Sequence, residues 1–140
     1  MLEFKNLKGV GIEMKAIVVT THGTLCKGLL ETAEMMVGHL ENTFSLSLDG
    51  EGITKFSESM DKLITDLKNN YDEILILCDL KGGSPYNESM KHFLLNQDVV
   101  KVVAGVNLPM FVEVYIQLQS VSLDELHKLA IETGQQSISN

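Results

Sequence analysis

The chain has no apolar run near the ~20 residues that a bilayer-spanning helix needs. It also lacks the charged, apolar and small-residue series that a signal peptide carries, so neither a membrane helix nor export is expected. Cysteine is scarce. Cys26 and Cys78 stand alone, too few for a disulfide framework, which makes a reducing cytoplasm the default compartment. Positive charge is short as well: 11 basic residues face 19 acidic ones, for a formal charge of −8 at pH 7. With no basic patch to neutralise phosphates, nucleic acid and anionic membrane are not expected partners. The acidity fits either a basic partner protein or simple solubility. No internal repeat and no low-complexity segment interrupts the sequence.

What is present suits one globular domain. At 140 residues, 44% apolar and 21% charged, the chain is long enough to bury a real core. Its first thirteen residues, MLEFKNLKGVGIE, stand apart, with neither strand alternation nor a helical face. Met14 directly precedes the first strand, as an initiator would, and Lys8-Gly9-Val10 back-translates to a purine-rich ribosome-binding stretch. Residues 1–13 therefore read as a translated leader, a cloning remnant or a disordered arm, and 14–140 as the domain. The leader's two lysines and two glutamates cancel, so its removal leaves the charge at −8.

Hydrophobic periodicity orders the rest. KAIVVT (15–20) and EILILC (73–78) are nearly continuous apolar runs, as central strands buried on both faces require. TFSLSL (43–48) alternates as a strand, and VVKVVAG (99–105) is a fourth. Between them, 25–40 and 53–71 carry apolar residues at helical spacing, and a further helix is predicted from about Asn87 to Asn96. MFVEVYIQLQS after Pro109 has strand-like composition but a helix's place in the order, and we read it as helix. Ser122 and Glu125 form a capping box that opens the last helix, which Gly134 is expected to end. The tail QQSISN has weak strand character and no partner of its own. Strand–helix alternation throughout predicts an α/β fold, a three-layer sandwich with a mainly parallel sheet between two layers of helices.

In such a sheet the loops after the first and third buried strands open on one edge. Thr20-Thr21-His22-Gly23-Thr24 and Asp79-Leu80-Lys81-Gly82-Gly83-Ser84-Pro85 can then meet over a single crevice. A carboxylate on one ring nitrogen of His22 would fix its tautomer and leave the other nitrogen a free nucleophile. Amides near Gly23 and Thr24 at a helix start, with the Ser84 hydroxyl, would suit negative charge on the imidazole. Each piece also has an ordinary reading: a loop histidine, a turn-forming aspartate, a glycine turn. Spacing alone leaves both open. Gly23-x4-Gly28 imitates a nucleotide-binding loop, but Leu29-Leu30 stand where lysine and a hydroxyl are required. Cys78 reads as core, and Cys26, on a first helical turn, as a minor nucleophile candidate. His39, His92 and His127 lie at no metal-ligand spacing and are expected on the surface. No metal and no cofactor is expected.

Four stretches carry a family resemblance: MKAIVVTTHGTLCKGLLETAEMMVG, LCDLKGGSPYNES, VVAGVNLPMFVE and AIETG. In register, they resemble the IIA component of the mannose family of the bacterial phosphoenolpyruvate-dependent sugar phosphotransferase system. The resemblance implies that His22 takes a phosphoryl group from the phosphocarrier HPr and passes it to a IIB component, with the membrane IIC and IID components served indirectly. It implies that Asp79 orients the imidazole and that Ser84 contacts the phosphoryl oxygens. It also implies a homodimer that exchanges a C-terminal strand, which would give QQSISN a partner. Leu80-Lys81 departs from the family, where an aromatic often precedes the glycines. The alternatives are a phosphotransfer subunit serving a dihydroxyacetone kinase, with the same His22, and a non-catalytic regulatory module.

Overall fold

In the computed structural model the described residues are 13–140, so the expected leader lies outside them apart from Glu13, which is exposed. The elements are β1 (Lys15–His22), α1 (Leu25–Val37), β2 (Thr43–Leu48), α2 (Ile53–Asn70), β3 (Glu73–Cys78), α3 (Ser84–Leu95), β4 (Val100–Ala104), α4 (Leu108–Gln117) and α5 (Leu123–Gln136). The four strands form one sheet in the order β2-β1-β3-β4, and every pairing is parallel.

Alternation along the strands sends successive side chains to opposite faces, and each face has its own core. Ile17, Val19, Leu75 and Leu77 pack with Cys26, Phe111, Val114 and Leu126 beneath α1, α4 and α5. Ala16, Val18, Ile74 and Ile76 pack with Phe56, Met60 and Ile64 of α2, with Tyr86 and Phe93 of α3 against them. Burial on both faces explains why β1 and β3 read as unbroken apolar runs. A fully buried Leu, Ile or Val side chain stabilises by about 1.5–3 kcal/mol over leaving it exposed. Such an anchor makes β1 and β3 a rigid support for whatever their ends carry.

The segment after Pro109 is helical, with Asn107 as its N-cap: the Asn107 Oδ1 accepts from the Met110 N–H at 3.0 Å. The Ser122 hydroxyl likewise accepts from the Glu125 N–H at 3.1 Å and caps α5.

Three expectations are corrected. Gly134 does not end α5, which runs on to Gln136. The glycine is buried, and a Cβ there would lie 2.7 Å from Met110 Cε, so it serves the close approach of α5 to α4 rather than a stop. α3 opens at Ser84 rather than near Asn87, because Pro85 fits a first helical turn, where a missing N–H costs nothing. His92 and His127 are half-buried instead of surface residues. His92 Nε2 lies 2.9 Å from Asp61 Oδ1, and His127 Nε2–H donates to the Val102 carbonyl at 3.1 Å.

Candidate functional site

Parallel strands end on one edge, and β1 and β3 are neighbours, so their C-terminal residues must meet there. Thr20 pairs with Cys78, which sets His22 beside Asp79. One carboxylate oxygen, Asp79 Oδ2, accepts from both the His22 backbone N–H and His22 Nδ1, each at 2.9 Å. Main chain and ring of the histidine are thus held by the same atom. Burial by itself raises the Asp79 pKa, but the two bonds from His22 outweigh it and leave the carboxyl below its ordinary value. An ionised carboxylate only accepts hydrogen bonds. In the neutral ring the proton therefore sits on Nδ1 and the lone pair on Nε2, on a side chain 49% exposed.

The other expected residues frame this ring unequally. Gly23 turns the chain from β1 to α1 in the left-handed region, with φ +58°. Its N–H is already given to the Leu48 carbonyl at 2.7 Å, so its contribution is the turn and not a free amide. Thr24 occupies the N-cap position of α1 without a side-chain cap bond. Thr21 does that work: its Oγ1 accepts from the Cys26 N–H at 2.9 Å. Ser84 is the first residue of α3, where first-turn amides have no partner inside the helix and favour anions. The chain contains no arginine, so no guanidinium fork is available to an anion.

Cys26 is fully buried with Sγ 3.2 Å from Ser47 Oγ, which removes it as a surface nucleophile. Cys78 is core as expected, its thiol pushed up to about 12 by burial, with Asp79 adding and Ser89 opposing. Among the described residues no three His, Cys, Asp or Glu side chains gather as a metal ligand set. A groove of about 250 Å³ lined by Lys27, Ser47, Asp49 and Lys55 flanks β2 but includes neither His22 nor Asp79.

Sequence reasoning missed Gly83. A Cβ at this position would lie 2.9 Å from His22 Cε1 and 3.5 Å from Nε2. Its signal was the doubled glycine in the loop expected to face His22, but nothing in the spacing said that the ring would lie too close for a side chain there.

Residues 16–131 match the family model of the EIIA-man type, described as the PTS system fructose IIA component. The chain belongs to this family. The EIIA chain is 37% identical over 129 residues to the PTS system mannose-specific EIIAB component of Escherichia coli K12, a match covering 88% of the chain. It spans only 38% of that longer protein. It is 30% identical to the PTS system fructose-specific EIIA component of Bacillus subtilis, covering 89% of this chain and 84% of that one. In structure it superposes on the PTS IIA protein associated with the fucose utilization operon of Streptococcus pneumoniae with a TM-score of 0.80. There the identity is 35% and the coverage 91% and 93% of the two chains. No helix among the described residues of this EIIA component is long and apolar enough to cross a membrane.

Proposed function

We propose that this EIIA component is a cytoplasmic phosphocarrier that accepts a phosphoryl group from HPr on His22 Nε2 and passes it to a IIB component. The observation that supports this most is the pair of hydrogen bonds from the His22 backbone N–H and Nδ1 to Asp79 Oδ2. It commits Nδ1 as a donor and leaves Nε2 as the one nucleophilic atom of a half-exposed ring. An open site suits a macromolecular donor, which must bring its own phosphohistidine within reach.

Phosphoryl transfer asks the protein for positioning and electrostatics rather than for covalent work. The Nε2 lone pair attacks phosphorus in line as the donor's N–P bond breaks, and the donor nitrogen recovers its electron pair. His22 then carries a positive ring with Nδ1–H still in place, and Asp79 stabilises that charge. The α3 first-turn amides and the Ser84 hydroxyl hold the phosphoryl oxygens. Because the phosphohistidine is a relay, the same atoms run the step in reverse toward the IIB component. The active form is a homodimer in which the C-terminal tail pairs with the partner's sheet edge.

Incubation with phosphoenolpyruvate, enzyme I and HPr tests the reading. It predicts one acid-labile, base-stable phosphate mapping to His22. Label on another residue, or none, overturns it.

A further inference from the structure

Gly82 and Gly83 are adjacent glycines with different physical reasons. Gly82 has φ +85° and open space where a Cβ would stand, so its backbone conformation calls for glycine. Gly83 has φ −75° and ψ 167°, an extended conformation open to any residue. What it lacks is room. A Cβ would lie 2.9 Å from His22 Cε1, 3.5 Å from His22 Nε2 and 3.3 Å from the Leu80 carbonyl oxygen. The first distance is shorter than real side chains tolerate, and the obstacle is a planar ring pinned at Nδ1 by Asp79.

Gly83 is also the N-cap residue of α3. Its N–H donates to the Leu80 carbonyl at 3.1 Å, and its own carbonyl accepts from the Asn87 N–H at 2.8 Å. It is therefore held from both sides and cannot retreat from the ring without disturbing the start of the helix. Cε1 lies between the two ring nitrogens, so pressure there shifts Nδ1 and Nε2 together.

We infer that Gly83 is a positioning residue: its missing side chain lets the imidazole lie against the start of α3, keeping Nδ1 on Asp79 and Nε2 beside the first-turn amides. The inference rests on the phosphocarrier reading for its kinetic consequence, but its geometric content is testable without phosphate. Gly83→Ala should move the ring by tenths of an ångström and slow single-turnover phosphoryl transfer from phosphorylated HPr about 10- to 100-fold.

Two further measurements separate this role from a merely structural one. Nitrogen-15 shifts of the His22 ring should move away from the pure Nδ1–H tautomer in Gly83→Ala, and stay put in Lys81→Ala, an exposed change in the same loop that leaves the glycine backbone unstrained. In a double-mutant cycle, Gly83→Ala should lower Tm by about 4 °C in the wild-type background and hardly at all beside His22→Ala, where the ring is gone. Unchanged ring shifts, or a Tm loss that persists without the imidazole, overturn the inference, because the clash then lies with the Leu80 carbonyl. Failure of phosphate to reach His22 in the wild type would overturn the phosphocarrier reading instead, and leave the geometric role of Gly83 to the ring shifts and the cycle.

Discussion

At Asp79 a single oxygen holds both the main chain and the ring of His22. In the proposed relay His22 supplies the nitrogen, so His22→Ala should abolish phosphate uptake from HPr. Asp79 forms no bond to phosphorus. Loss of the orienting carboxylate in the serine protease triad costs about 10⁴ in rate. Nitrogen is a better nucleophile than a hydroxyl and needs no deprotonation here, so we expect a smaller loss of ~10²-fold for Asp79→Asn, and more for Asp79→Ala. Single-turnover transfer from phosphorylated HPr measures all three, and wild-type rates in both Asp79 variants would reduce the aspartate to a turn residue. The depressed pKa of Asp79 adds a pH signature. A carboxyl whose folded pKa is lowered adds stability above its unfolded value and loses it as pH falls through the folded one. The stability advantage of wild type over Asp79→Asn should shrink as pH falls below about 4. Urea unfolding at a series of pH values reads this directly, and a gap that keeps widening as pH falls below about 4 contradicts it.

At the scale of elements, the helices that flank the sheet are tied by caps of unequal worth. Ser122 satisfies one amide at an exposed helix start, and Ser122→Ala should cost about 1 kcal/mol. Asn107 does more. Its Oδ1 caps α4, while Nδ2 donates to the Gly134 carbonyl at 3.1 Å and to Ser137 Oγ at 3.2 Å. One side chain thus joins the start of α4 to the last turn of α5. Asn107→Ala removes the cap and strips those partners of a donor, an expected loss of about 2 kcal/mol. Asn107→Asp keeps the cap but turns a carboxylate oxygen toward the Gly134 carbonyl, and should fall between the two. Thermal unfolding of the three variants orders them, and a Ser122→Ala loss equal to that of Asn107→Ala would deny Asn107 its second role. The close packing of Gly134 against Met110 was invisible in the sequence, because a glycine near a helix end resembles a stop signal whether or not it is one. The capping box at Ser122 was legible, because cap chemistry is local.

For the molecule as a whole, the sheet has two edge strands, β2 and β4, and open edges invite pairing. The tail beyond α5 is the segment proposed to use one of them in a dimer. In the single chain Gln135 and Gln136 are the end of α5, and residues 138–140 have no regular structure. Exchange would therefore ask the end of α5 to open. Deleting residues 136–140 should shift sedimentation toward monomer, and an unchanged dimer would exclude the tail from the interface. The leader expectation makes the opposite claim for the other terminus. A chain beginning at Met14 should fold, associate and take up phosphate as the full chain does, and a loss of stability or labelling would show that residues 1–13 contribute.

Periodicity and residue order alone determined that β1 and β3 are double-sided strands, that helices cover both faces, and that His22 and Asp79 share an edge. Those features follow from local rules: side chains alternate along a strand, and parallel strands connected by helices end on the same side. Tertiary structure alone decided how tightly groups meet. Lys15 shows the difference. Its N–H and carbonyl are both bonded by the side-chain amide of Gln119 at 3.0 Å, across 104 residues of chain, and its side chain is buried within 3.8 Å of Glu73. No pattern near Lys15 or Gln119 announces this, and none announced that Gly83 lies against His22. Such contacts depend on distances between elements set by the packing of whole faces, a quantity that sequence spacing within one element does not encode.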